Sequence, residues 1–180
     1  IDADILAREV VEPGEPAYDK IVAEFGKGGL QKDGLIDRKK LGAVVFGDAE
    51  KRKRLEEFTH PEIRARQAGI LAGLEEEGFD GIAIFDAALL VETGRAKNMD
   101  RLVVVFAEPA VQRRRLMVRD SLSETEAERK IQSQLPLAEK VKQAHYVVDN
   151  SGTREETERR VREVHQALLA DLKAFQASQA

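Results

Sequence analysis

The sequence predicts an α/β fold: a parallel sheet with a helical subdomain inserted between two of its strand ends. Three observations carry this reading. Short apolar runs alternate with helix-patterned segments after residue 80, which implies parallel strands joined by right-handed crossovers. The stretch from about 8 to 79 is helical in pattern and holds no strand. A polar residue ends each apolar run, where ligands of open parallel sheets bind.

The elements follow in order. Residues 4–25 read as a helix broken near EPGEPAYDK, where Pro13, Gly14 and Pro16 interrupt the pattern. FGKGGLQKDGLID is glycine-rich and polar, hence a loop. Helices are expected at 37–46, 49–58 and 60–77, with Thr59 to Glu62 spelling a capping box for the last. GIAIFDAALL and RLVVVFAEP resemble strands buried on both faces. Pro109 opens a helix, AVQRRRLMVRD. Ser123 to Glu126 is a second capping box, for a helix lasting until Pro136, and YVVDN is a third strand. Thr153 to Glu156 caps a final helix with Val161, Val164, Leu168 and Leu172 at helical spacing, and FQASQA reads as a fraying tail.

Composition bounds the function. The 180 residues suffice for one compact unit with a real core. Hydrophobic content of 42% and charged content of 34% exclude a disordered chain. A net charge of −4 gives no basic field for nucleic acid or an anionic membrane. With no cysteine there are no disulfides, thiolate chemistry or Cys-based zinc sites, which fits a reducing cytoplasm. No apolar run approaches bilayer length and no secretory signal pattern is visible.

Candidate chemistry sits at the strand ends. If Ile1 ends a strand, Asp2 and Asp4 project into the ligand crevice, where two carboxylates can hold a metal-bound water or accept a proton from a hydroxyl. Equally, one of them caps the helix beginning at Ile5. Arg115 and Arg119 are four apart on one helix face and suit phosphate oxygens, or else form a solvated face paired with the acids of SETEAERK. Asp86 can bind a sugar hydroxyl beside an apolar wall of Leu89 and Leu90, or serve as a loop cap. His60 precedes Pro61 in the first turn of a helix, where a structural role competes with a catalytic one. Asn150 and Gly152 can contact a base or simply shape the turn.

The order of these elements is more specific than any one of them. IDADILAREVVEPGEPAYDKIVAEFG, DGLIDRKKLGAVVF, THPEI, DAALLVE, RRLMVRD, QLPLAEK and VVDNSGT succeed one another. This succession resembles the dephospho-CoA kinase family from Ile1 to about Val164. The resemblance implies a P-loop kinase that transfers the γ-phosphate of ATP, with Mg²⁺, to the ribose 3′-hydroxyl of dephospho-CoA. It implies a nucleotide-binding core at 1–7, 80–117 and 144–180, a helical substrate-binding domain at 8–79 and a helical lid at 118–143. Asp4 matches the acid that accepts the hydroxyl proton, and Asp2 the neighbouring acid near the substrate. Arg8 is placed to reach the same crevice. His60, Asp86, Leu89, Leu90 and Glu92 resemble the surface receiving the dephospho-CoA adenosine. Arg115 and Arg119 resemble lid arginines over the ATP phosphates. Asn150 and Gly152 fall near the adenine. No residue is assigned to a metal. The partners implied are dephospho-CoA and ATP, with no nucleic acid or membrane, in a cytoplasmic monomer or small homo-oligomer.

Departures accompany the resemblance. The phosphate-cradling G-x-x-x-x-G-K-[ST] loop is not among these residues. The expectation is therefore a chain lacking its first strand and P-loop, inactive as written. Ala88 stands where relatives often have Pro, and His145 where they often have Asp. Two alternatives remain: a nucleoside-monophosphate-type kinase, and a non-catalytic domain that binds a nucleotide or partner.

Overall fold

The computed structural model describes residues 1–45 and 47–179. By its contacts the chain divides into two compact units, Ile1–Ala87 and Ala88–Ala180.

The first unit is helical: α1 (Ala3–Glu9), α2 (Pro16–Phe25), α3 (Arg38–Val45) and α4 (Ala49–Glu76). The break between α1 and α2 falls where Pro13, Gly14 and Pro16 place it, with Pro16 in the first turn of α2 and its missing N–H costing nothing there. Ile21, Ile36 and Leu41 form the buried core, packed by Tyr18, Phe25, Leu55 and Phe58. Each buried aliphatic side chain contributes roughly 2 kcal/mol. The glycine-rich loop folds back on itself. Leu30 and Ile36 form an antiparallel bridge, and the Tyr18 hydroxyl donates to the Gly34 carbonyl at 2.7 Å. Gly34 has φ 87°, a left-handed value that favours glycine. Ion pairs Lys20–Glu62 (3.1 Å) and Arg66–Glu15 (2.9 Å) tie the α2 side to α4.

Two expectations for this unit are corrected. The helices expected at 49–58 and 60–77 are one, α4, which runs through Pro61. Thr59 does not cap. Its hydroxyl donates back to the Leu55 carbonyl at 2.9 Å, as in a helix interior. Packing of α1, α2 and α3 along α4 overrides the local stop signal. The segment GIAIFD is extended but forms no ladder. Its pairing is a single parallel bridge, Asp2 to Asp86, and Ile84 is 66% exposed. Ile1 lies alongside it too, its N-terminal ammonium donating to the Ile84 carbonyl at 2.8 Å. The helix expected at 37–46 is α3; Phe46 lies outside the described residues.

The second unit holds β1 (Val103–Phe106), α5 (Pro109–Asp120), α6 (Glu124–Gln132), α7 (Leu137–Val141), β2 (Tyr146–Asp149) and α8 (Arg154–Gln179). The strands pair in parallel, Val104 opposite Val147 and Phe106 opposite Asp149. Burial alternates along each strand and is not continuous. Val104 and Val148 are buried, while Val103, Val105 and Val147 are open. Because Val104 is in register with Val147 and Val105 with Val148, the two buried valines lie on opposite faces of the pair, each covered on one side of its own strand. The box at Ser123 forms: the Ser123 hydroxyl accepts from Glu126 N–H, and the Glu126 carboxylate accepts from Ser123 N–H. The helix it opens ends at Gln132, short of Pro136. Thr153 and Glu156 exchange the same pair of bonds, at 3.2 and 2.8 Å, at the start of α8. The expected fraying tail is instead helical through Gln179, with Ala180 outside the described residues.

Candidate functional site

Within the first unit, the start of α1 and the end of the GIAIFD segment are one structure. Ala3 N–H donates to the Asp86 carbonyl at 2.9 Å, and Asp86 N–H donates to the Ile1 carbonyl at 2.9 Å. The Asp2 side chain accepts from Asp4 N–H (2.8 Å) and Ile5 N–H (3.1 Å), so Asp2 is the N-cap of α1. Asp4 lies in the first turn, where a negative charge is favoured by the helix dipole. It is exposed and makes no ion pair among the described residues. Arg8 stands one turn further on the same helix, also exposed. Asp2 and Asp86 are thus adjacent, with Asp4 in the turn that follows and Arg8 one turn beyond it. His60 is exposed on α4, and no described hydrogen bond or ion pair joins it to them.

Within the second unit, Arg115 meets the turn after β2. Its guanidinium donates to the carbonyls of Asn150 (2.5 Å) and Gly152 (3.2 Å). The turn is itself fixed. Asn150 N–H donates to the Phe106 carbonyl at 2.7 Å, and Glu108 N–H donates to the Ser151 hydroxyl at 2.9 Å. Ser151 N–H donates to Asp149 at 2.8 Å. The Ser151 hydroxyl and N–H hold the Asp149 carboxyl below its ordinary range. Arg115, Asn150, Arg154, Thr157, Val161 and Arg162 border an open cleft of about 520 Å³. Glu158 lies on the same rim and pairs with Arg154 at 3.0 Å and Arg162 at 3.8 Å, so an anionic ligand there would compete with it for those arginines.

Arg119 does not join this turn. It pairs with Asp120 at 2.8 Å, its side chain 74% exposed, and Lys130 pairs with the same carboxylate at 2.9 Å. Hydrogen bonds from Arg119 and then Lys130 hold the Asp120 carboxyl far below its ordinary range.

The LLVE element forms a tight turn. Leu90 is buried and Leu89 is 48% exposed. Glu92 is not an open ligand: its carboxylate meets the Lys140 ammonium at 2.6 Å and accepts from Leu135 N–H at 3.0 Å. Burial pushes the Glu92 carboxyl up, but the Lys140 hydrogen bond and the N–H donors outweigh it and leave it below the usual range. Lys140, Ser151 and Thr157 were not read from the sequence. Lys140 had a signal, because it shares a helix face with Leu137 and so lies among apolar positions. Ser151 stood two residues after Asp149, the spacing of an Asx turn.

Among the described residues no group of three or more His, Asp or Glu side chains is placed to hold a metal. No helix is long and apolar enough to cross a membrane.

A parallel strand pair that ends in an arginine-clamped turn, in a chain that also carries a helical unit, is the pattern of a nucleotide-binding α/β protein of the kinase type. The family model for dephospho-CoA kinase matches residues 1–156, and the chain belongs to that family. It is 48% identical to the dephospho-CoA kinase of Geobacter sulfurreducens, over 91% of this chain and 83% of that protein. It is 46% identical to a dephospho-CoA kinase domain-containing protein of Danio rerio, over 93% of this chain and 73% of that protein. Among solved structures, one from Thermus thermophilus superimposes with a TM-score of 0.75 at 32% identity, covering 96% of this chain and 83% of the other. The dephospho-CoA kinase of Campylobacter jejuni does so with a TM-score of 0.62 at 32% identity, covering 93% and 85%.

Proposed function

We propose that this protein phosphorylates the ribose 3′-hydroxyl of dephospho-CoA with ATP, and that Asp4 is the base. Family membership supports the reaction, and the single observation supporting the base is the placement of Asp4. It is an exposed carboxylate on a helix whose cap residue is bonded through its main chain to Asp86. In the transfer, the hydroxyl proton goes to the Asp4 carboxylate and the ribose oxygen bonds to the γ-phosphorus. The bond from that phosphorus to the β,γ-bridging oxygen breaks, and ADP leaves. Such transfers depend on positioning and charge neutralisation, so one aimed carboxylate suffices for the proton.

Asp2 holds α1 in place by its cap. Arg8 and Asp86 border the acceptor, with His60 and Leu89 receiving its adenosine and the buried Leu90 seating the turn behind Leu89. Arg115, with Asn150 and Gly152, takes the ATP side. Arg119 reaches the phosphates by leaving Asp120, an exposed pair whose loss costs little. Mg²⁺ accompanies ATP on its phosphates, as is usual for a cation that keeps several waters and few protein ligands. The cytoplasm, where both substrates meet a cysteine-free chain, is the proposed compartment. The three-part division into core, substrate domain and lid goes with this assignment.

The test is Asp4→Asn in the intact enzyme. A fall in kcat of about 10²–10⁴-fold, with KM for ATP changed less than about twofold, is expected for loss of a general base. A near-normal kcat removes Asp4 from that role.

A further inference from the structure

Lys140 is a charged residue in a buried position, its side chain 8% exposed. Lysine is seldom buried unless its three N–H donors are met. Here they are: the ammonium donates to the Ala88 carbonyl at 2.8 Å and to Gln134 Oε1 at 3.4 Å, and pairs with Glu92 Oε1 at 2.6 Å. Two of these acceptors belong to the LLVE turn, one before it and one within it. The third lies in the segment between α6 and α7, from which Leu135 N–H also reaches Glu92 at 3.0 Å.

The turn is internally closed. Thr93 N–H donates to the Leu89 carbonyl at 3.0 Å and Ala96 N–H to the Leu90 carbonyl at 3.1 Å. The Thr93 hydroxyl donates to the Leu89 carbonyl at 2.8 Å. Gly94, at φ 70°, ends it. A unit closed in this way moves as a body, and what fixes it is the attachment at Ala88 and Glu92. Lys140 takes part in both attachments, and Leu135 N–H shares the one at Glu92.

We propose that Lys140 is a positioning residue for the acceptor. It anchors the 88–94 turn to the 134–140 segment, so that Leu90 stays inside and Leu89 faces outward in a fixed place. Lys140 itself touches no substrate. The inference rests on the assignment of Leu89 to the acceptor surface.

The experiment is steady-state kinetics of the intact enzyme carrying Lys140→Met, Glu92→Gln or Leu89→Ala. Methionine keeps the length and apolar stem of lysine and removes every donor. Lys140→Met is expected to raise KM for dephospho-CoA about tenfold, with kcat and KM for ATP within about twofold. Glu92→Gln, which keeps an acceptor oxygen, is expected to raise it about threefold. A purely structural role would lower kcat through the active fraction and leave KM unchanged. Unchanged KM for dephospho-CoA in both variants overturns the proposal, and if Lys140→Met does not fold, Glu92→Gln alone decides. Leu89→Ala separates the two failures. If it raises KM while the anchor variants do not, only the role of Lys140 falls. If it too has no effect, the acceptor assignment falls with it.

Discussion

Asp2 and Asp86 face each other across a parallel bridge, and the Asp2 side chain caps the helix that carries Asp4. One residue therefore fixes both the start of α1 and its attachment to the GIAIFD segment. The cap needs a side-chain oxygen and no charge.

Asp2→Asn is accordingly expected to keep the stability of the protein, because asparagine caps as well as aspartate. Asp2→Ala is expected to lose about 1 kcal/mol, seen in thermal denaturation as a fall in Tm of roughly 2–4 °C. If Asn loses as much as Ala, the carboxylate charge is what matters at this position, and capping is not its main role.

Gly152 faces the Glu156 carboxylate. A methyl group built on it would lie 2.1 Å from a Glu156 oxygen, and that same oxygen accepts the Thr153 N–H at 2.8 Å. Gly152→Ala should push Glu156 aside and forfeit its half of the cap of α8, a loss of about 1 kcal/mol. Glu156→Ala should cost a similar amount, and the double variant should cost little more than either alone. Full additivity in thermal denaturation would refute this coupling.

Asp171 links α8 to the strand pair. It accepts from Arg101 Nε at 2.5 Å and from the Tyr146 hydroxyl at 2.8 Å. The Arg101 hydrogen bond first, and then that of Tyr146, hold the Asp171 carboxyl below its ordinary range. A lowered folded-state value means the contribution is complete above the unfolded carboxyl value, near pH 4, and is lost as pH falls through the folded one. The hydrogen bond to Asp171 likewise raises the Tyr146 hydroxyl. That contribution is whole below the unfolded value, near pH 10, and is lost as pH rises through the folded one. Stability measured against pH should therefore decline at both ends, and Asp171→Asn should flatten both limbs. An unchanged acid limb in that variant would show that Asp171 does not set it.

The helices were legible where their ends are chemically marked. Ser123 with Glu126, Thr153 with Glu156, and Pro16 and Pro109 in first turns all act within a few residues, so sequence alone reveals them. The parallel strands RLVVVF and YVVD were legible from apolar runs. What misled was local chemistry overruled from a distance. Thr59 and Pro61 look like a boundary, yet packing carries α4 through them. The valines of β1 and β2 look buried on both faces, yet within their unit every second one is open.

The sequence singled out Asp2, Asp4, Asp86 and Arg115 as candidates; in the structure Asp2 bridges Asp86, and Arg115 donates to the Asn150 and Gly152 carbonyls. The cap made by Asp2 was one of two readings that the sequence left open, and the bonds to Asp4 and Ile5 N–H select it. The partners of Glu92 and Arg119 were not legible. Lys140 lies 48 positions beyond Glu92, while Asp120 is the immediate neighbour of Arg119, so neither the distance nor the pairing follows from helical spacing.

Pro61 inside α4 has no N–H to give the carbonyl of Glu57, four residues back. The rod is continuous in shape but interrupted in its ladder of bonds. Deuterium uptake should accordingly begin beside that gap and spread outward, so that one long helix breathes as two shorter ones joined at a proline.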